Sequence, residues 1–511
     1  MENRKKAAKA FAPMSHPAPY QTVVVGGGIS GLLAAWDLQR AGFQVSIFDA
    51  ATTWGGCVGR HEVAGVVLDS GAESFATRNT AVAELAVELG LGEKIVEPDP
   101  AGAWVWLPEG PVPLPRTGVL GIPSDLGAPE VREALGASGV LRAALDAKMP
   151  VTIGTTEPVS SVADLVRARM GKRVLERLVA PVVAGVHSAE AEVLDVDVVA
   201  PGLRAGIREH GSLAAAVAAQ RANGSKPGAA VAGLEGGMHT LVAALVEKLQ
   251  AAGVSMHPGH RVKAVFRGDA DEAGDAPAPT YDGGEPSPWI IEWEHGTERG
   301  YASAKLLVMA TDGPMAVKLL GYEMPQLLPF APARGPDIRL VTMVVDVPEL
   351  DSAPRGTGVL VAPSVGGIKA KALTHSTAKW RWLADSTGPG THVVRLSYGR
   401  AGVKPSDAVR LTPETLTEED LIPTALADAT TLLGIEITEA DLLGADIVRW
   451  KGALPFAAVG HHDKIAHVHA LANEVPGLVL AGAWMTGNGL AAVVSGTRRQ
   501  IRAVVDASLR L

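Results

Sequence analysis

Residues 22–49 read TVVVGGGISGLLAAWDLQRAGFQVSIFD, and the order of residue types in this stretch decides the fold. Val23, Val24 and Val25 make a short β-branched run suited to a buried parallel strand. Gly26-Gly27-Gly28-Ile29-Ser30-Gly31 follows, then an apolar helical pattern from Leu32 to Leu38 that Gly42 ends. A second strand over 43–48 closes on Asp49. Strand, glycine turn, helix, strand and acid, in that order, form a βαβ unit for a dinucleotide. In Gly26-x-Gly28-x-x-Gly31 the first glycine permits the tight turn and the second lets main-chain N–H groups reach a pyrophosphate. The third lets helix and strand pack closely. The helix N-terminus presents partial positive charge to the same anion. With 58 glycines in 511 residues the pattern alone is weak. Its position between strand and helix, with Asp49 placed to accept ribose hydroxyls, separates it from a purely structural turn.

Composition sets the outer limits. At roughly 150 residues per domain, 511 residues suggest about three units. A balance of 46 Lys+Arg against 55 Asp+Glu, net −9, offers no general attraction to nucleic-acid phosphates. A hydrophobic content of 47% excludes a mainly disordered polyelectrolyte. A single cysteine excludes an intramolecular disulfide and any multi-cysteine metal site, and no metal is expected. Residues 1–20 are basic without an apolar central stretch and read as a solvated tail rather than a targeting signal. Residues 476–497 carry no charge, but the Gly487-Asn488-Gly489 break makes them a strand, a turn and a helix rather than a membrane span.

Between these ends, Trp104 and Trp106 alternate on one face of an expected strand, and 129–178 is dominated by helical patterns, 172–179 included. The stretch 338–400 alternates strand-like runs with turns, a mixed-sheet signature. Residues 268–288, acidic and rich in Gly and Pro, are expected to be a disordered loop. A glycine-turn unit opens the chain and another closes it, so the nucleotide-binding domain is expected to be discontinuous.

After Asp49 come Thr53-Trp54-Gly55-Gly56-Cys57 and then Leu68-Asp69-Ser70-Gly71-Ala72-Glu73-Ser74-Phe75. An NAD fold needs neither. They look like the flavoprotein extension that wraps the FAD pyrophosphate, with Gly482 to Leu490 supplying a second helix N-terminus. Further anchors are Ala180-Pro181-Val182-Val183-Ala184-Gly185-Val186-His187-Ser188, Gly236-Gly237-Met238, Lys379-Trp380, Arg449-Trp450-x-x-Ala453-Leu454-Pro455 and Val459-Gly460-His461. Taken in order, they make the chain, from residue 22 to its end, resemble the protoporphyrinogen/coproporphyrinogen oxidase branch of the amine-oxidase-like flavoproteins.

The resemblance implies an α/β fold, α+β overall: a discontinuous Rossmann-like FAD domain (21–97, 230–320 and 445–511), a mixed-sheet substrate domain (98–128 and 321–444) and a helical inserted domain (129–229). It implies that FAD is held by Gly26, Gly27, Gly28, Ile29, Ser30, Gly31, Asp49, Gly56, Cys57, Gly71, Ala72, Glu73 and Ser74. Val262 falls on the adenine side, and Trp450, Asn488, Gly489 and Leu490 near the flavin. Gly185 and Arg116 would face a tetrapyrrole. The implied reaction removes six electrons from a porphyrinogen in three flavin cycles, with molecular oxygen as acceptor and peroxide as product, in haem biosynthesis.

Two departures stand out. Cys57 replaces the Lys or Arg usual after the glycine pair, with Arg60 a candidate stand-in, and His187-Ser188-Ala189 replaces Tyr-Ala-Gly. No catalytic proton carrier is identified: His187, His461 and His462 are candidates, and a lone histidine is more often structural. A tetracarboxylate, coproporphyrinogen III, suits a chain without a membrane anchor better than protoporphyrinogen IX. Other readings are an amine oxidase or desaturase relative, and a non-catalytic flavin scaffold that docks to the next haem-pathway enzyme. The expected location is the cytoplasm, with a peripheral contact at the inner face of the cell membrane left open.

Overall fold

A computed structural model describes residues 18–19, 22–115, 119–157, 160–224, 231–268, 289–402, 417–452 and 458–508. The chain divides into two compact units. One is drawn from Met1–Gly59, His239–Ala333 and Lys464–Leu511, the other from Arg60–Met238 and Arg334–Asp463.

In the first unit, Thr22–Val25 lies near the middle of a five-stranded parallel sheet ordered Ser255–His257, Val45–Phe48, Thr22–Val25, Leu306–Met309, Leu478–Leu480. Every residue of Thr22–Val25, Val45–Phe48 and Leu306–Met309 is buried, as uninterrupted apolar runs in a parallel sheet covered on both faces require. The helix Ile29–Arg40 packs against His239–Ala251 and Leu490–Ser508. Arg498 and Asp37 pair between the first and last of these at 3.6 Å. The closing segment is the expected strand (Leu478–Leu480), glycine turn and helix. No helix among the described residues is long and apolar enough to cross a membrane. A second sheet contains Glu298–Ala304, Trp289–His295 and Arg261–Phe266. The expected loop at 268–288 falls outside the described residues beyond Gly268.

The second unit is built on a seven-stranded mixed sheet ordered Leu442–Lys451, Asp337–Asp346, Thr391–Tyr398, Ala372–His375, Gly358–Val361, Trp104–Leu107, Gly110–Pro113. Only the pairing of Gly358–Val361 with Trp104–Leu107 is parallel. Period-two alternation splits Asp337–Asp346 between two environments. Val341, Met343 and Val345 join a core shared with Leu178, Val179 and Val183, while Val344 packs with Val63, Leu68 and Trp380 on the other face. Sheet and helices therefore share one core. The hairpin Arg60–Val63 and Val66–Asp69 packs on this sheet, so residues 60–97 and 445–463 group with it rather than with the nucleotide unit. Trp104 and Trp106 pack on the large core, with the Arg355 guanidinium 4.9 Å from the Trp104 ring.

The helical part turns on a buried ion pair. Arg169, wholly buried, donates to Asp146 at 2.6 Å and to the carbonyls of Pro150 and Gly211. The stretch 172–179 differs from its expected form: three helical residues, Lys172–Val174, lead into a π turn, Leu175–Val179, before Ala180–His187. Pro181 has no N–H for the residue-177 carbonyl and its ring crowds that carbonyl, and a wider turn relieves both.

Candidate cofactor and substrate site

In the first unit the three motif glycines do three separate jobs. Gly26 leaves the strand at φ 110°, where a Cβ would lie 2.7 Å from the Ala310 carbonyl oxygen. A Cβ on Gly31 would fall inside the Gly26 carbonyl, so this position sets the closeness of helix and turn. Gly28 is different: nothing lies within 4 Å of a Cβ built there, and it alone among residues 26–31 is not buried. It caps Ile29–Arg40 without a side-chain hydrogen bond, and no acidic residue sits in the first turn. This open cradle at a positive helix end fits a pyrophosphate.

The second glycine pair lies alongside. Gly55 N–H donates to the Gly27 carbonyl at 2.8 Å, and Gly28 and Gly55 form a parallel bridge. Cys57 is exposed beside them. Both carboxylate oxygens of Asp49 are engaged by main-chain N–H groups, one by Gly27 and the other by Ala51 at 2.6 Å. Burial raises the Asp49 pKa against those two bonds and the Arg261 charge. Asp49 thus clamps the turn, and each oxygen keeps one lone pair for a ribose hydroxyl. Val262 is buried in the apolar cluster that contains Phe48, and its sequence neighbour Arg261 is the cation whose charge bears on Asp49.

Missed from sequence is a ladder of rings beside this strand end. Phe48 stacks on His257 at 4.5 Å, and His260 stacks on His295 at 4.4 Å. His295 Nδ1 donates to the Gly259 carbonyl, which fixes its tautomer. At the far end of the chain Gly487 (φ 98°) and Gly489 (φ 103°) also face open space, with Asn488 half-buried between them and Leu490 buried at the start of Leu490–Ser508. The unit therefore carries two glycine-led helix N-termini, on helices that pack against each other.

The second unit carries the turn 69–74. Trp450 Nε1–H donates to the Ser70 carbonyl at 3.0 Å, and Arg395 donates to the carbonyls of Gly71 (2.9 Å) and Asp69 (3.2 Å). Glu73 pairs with Arg395 at 3.2 Å and Lys379 at 3.6 Å, and accepts from Ser376 Oγ at 3.0 Å. Burial alone would raise the Glu73 pKa, but the Arg395 and Lys379 charges outweigh it and hold the carboxyl below its usual range. Glu73 is a knot under the turn, with Gly71, Ala72 and Ser74 half-buried around it. The one signal for this knot in sequence is Arg395, a lone cation in the apolar run HVVRLSY.

Gly185 sits on Ala180–His187, where a Cβ would meet the Leu360 side chain at 2.6 Å. Burial pushes the His187 pKa down to about 4, so it is neutral at pH 7. Arg116 lies outside the described residues, as do residues 453–457 of the Arg449 anchor. Among the described residues no group of three His, Cys, Asp or Glu side chains is arranged to hold a metal.

Residues 29–312, more than half of the chain, match the flavin containing amine oxidoreductase family. The chain belongs to that family. It is an oxidoreductase whose cofactor is FAD, and the Gly28 cradle fits that cofactor. It is similar to proteins named coproporphyrinogen III oxidase from Mycobacterium tuberculosis, 28% identical with 96% of this chain and 98% of the relative covered, and from Mycobacterium leprae, 29% identical with 94% and 97% covered. A solved Exiguobacterium protein with a provisional protoporphyrinogen oxidase name shares the fold at TM-score 0.75 and 24% identity, covering 96% of this chain and 99% of that one.

Proposed function

We propose that the chain oxidises a porphyrinogen to the porphyrin, with coproporphyrinogen III as substrate and molecular oxygen as electron acceptor, in the cytoplasm. The observation that carries this reading is end-to-end similarity to the coproporphyrinogen III oxidases, which leaves no large part of either chain unmatched. FAD, when bound, supplies the two-electron acceptor, so six electrons require three rounds. In the first unit the turn 26–31 and the Gly55-Gly56 pair would hold its pyrophosphate, with Gly487 to Leu490 at the second helix end; in the second unit the turn 71–74 rests on Trp450, Arg395 and Glu73. Among groups near the proposed substrate residue Gly185, His187 is neutral and offers a lone pair without adding charge to an electron-rich macrocycle.

Oxygen uptake by the FAD-loaded protein tests the reading. Coproporphyrinogen III should consume three oxygen molecules and yield three of peroxide per porphyrin formed, faster than protoporphyrinogen IX. A preference for protoporphyrinogen overturns the substrate. Reduction by simple amines with no porphyrin fluorescence overturns the reaction, and bound FAD that no porphyrinogen reduces makes the protein a scaffold.

A further inference from the structure

The face of the seven-stranded sheet that bears Val344 carries a buried polar group. Thr342 points away from the large core, on the side of Val344, and is 2% exposed, yet its Oγ1 has no protein hydrogen-bond partner among the described residues. The Trp382 indole Nε1, on the helix Arg381–Thr387, is likewise buried without one. Leaving such groups unpaired is costly, and native proteins rarely do so. Thr342 and Trp382 line the same cavity of about 20 Å³, whose wall includes Asp69, Glu73, Ser376 and Arg395. That volume holds one water molecule, and the wall is polar enough to bind it.

We propose that this cavity is a built site for one ordered water, which joins Thr342 and Trp382 to the carboxylates of the turn 69–73. The donor and acceptor types balance. The indole only donates, the carboxylates only accept, and the threonine hydroxyl does either. A water that accepts from Trp382 and donates to a carboxylate and to Thr342 Oγ1 makes three bonds, the usual number for an internal water. An apolar occupant would leave the hydroxyl and the indole unpaired. A metal cation would face the Arg395 guanidinium. The water ties the sheet strand Asp337–Asp346 and the helix Arg381–Thr387 to the same turn that Arg395 and Trp450 hold from elsewhere. It completes the support under residues 71–74.

A double-mutant cycle on the full-length, FAD-loaded protein separates a wet cavity from a dry one. With the water in place, Thr342→Val should lower the folded-to-unfolded ratio about fivefold, the worth of one net hydrogen bond. Thr342→Ser, which keeps the hydroxyl, should restore most of it. Thr342 and Trp382 share no direct hydrogen bond, so Thr342→Val in a Trp382→Phe background should cost clearly less than alone, because both act through one bridge. A crystal structure of the holoprotein should show density within hydrogen-bond distance of both atoms. A neutral or stabilising Thr342→Val, as removal of an unpaired buried hydroxyl would give, overturns the proposal. Strict additivity or a dry cavity in the crystal overturns it equally. None of these readouts involves a substrate, so the outcome is independent of the redox reading.

Discussion

Gly26 and Gly28 lie two residues apart in one turn, yet alanine at each should fail in opposite ways. At Gly26 the backbone stands at φ 110°, outside the range that L side chains prefer, and the new Cβ would meet the Ala310 carbonyl oxygen at 2.7 Å. Backbone strain of about 1–3 kcal/mol and overpacking of about 1–3 kcal/mol together predict a loss of about 2–6 kcal/mol. For a unit of some 200 residues that is on the order of 10 °C in melting temperature. At Gly28 the backbone is ordinary (φ −69°, ψ 176°) and the Cβ would meet nothing within 4 Å. Gly28→Ala should cost the apoprotein about 0.5–1 kcal/mol, or roughly 2–4 °C in melting, since alanine is a poorer helix N-cap than glycine. The methyl group would then stand where the pyrophosphate passes, and FAD affinity should fall at least about tenfold, or 1.4 kcal/mol. Differential scanning fluorimetry of apoprotein and fluorescence titration with FAD measure the two effects separately. If Gly28→Ala binds FAD like the wild type, or melts as low as Gly26→Ala, the assignment of separate roles to these glycines is wrong.

Glu73→Gln removes the anion between Arg395 and Lys379 in a setting where the Glu73 side chain is only 11% exposed. It should cost about 3–5 kcal/mol and reduce the flavin content of the purified protein, read by urea unfolding and absorbance. Asp146→Asn strands the buried Arg169 and should cost a similar amount, whereas Glu176→Gln at the exposed pair with Lys172 should change the same urea midpoint by less than about 0.5 kcal/mol. Burial lowers the pKa of His187 to about 4, and burial with the His392 charge lowers that of His375 to about 3. The unfolded chain, with both near 6.5, then binds more protons than the native one. Stability from these groups is full above pH 6.5 and falls by up to about 1.4 kcal/mol per unit for each as pH drops toward their folded values. Thermal melts of the wild type and His375→Gln between pH 7.5 and 4.5 should therefore converge on acidification, and parallel curves would contradict it.

The nucleotide-binding half of the molecule was readable because its signal is local. A β-branched run, a glycine turn and an acid within 28 residues leave few alternative structures, and each glycine position corresponds to a particular close approach or opening. The closing strand-turn-helix was legible for the same reason. The support of the turn 69–74 was not, because its partners come from far along the chain: Ser376 is 303 residues from Glu73, and Trp450 is 380 from Ser70. No periodicity encodes such a pairing. The parallel junction of Trp104–Leu107 with Gly358–Val361 was hidden by the same separation. The capture of both Asp49 oxygens by main-chain N–H groups depends on the geometry of the turn, which residue types do not carry.

Anaerobic mixing of the FAD-loaded protein with coproporphyrinogen III, followed in the flavin visible band, tests the central claim most directly. The account predicts rapid bleaching, recovery of the band when oxygen is admitted, and porphyrin fluorescence that rises with each cycle. A flavin spectrum that stays oxidised in the presence of excess porphyrinogen would contradict it.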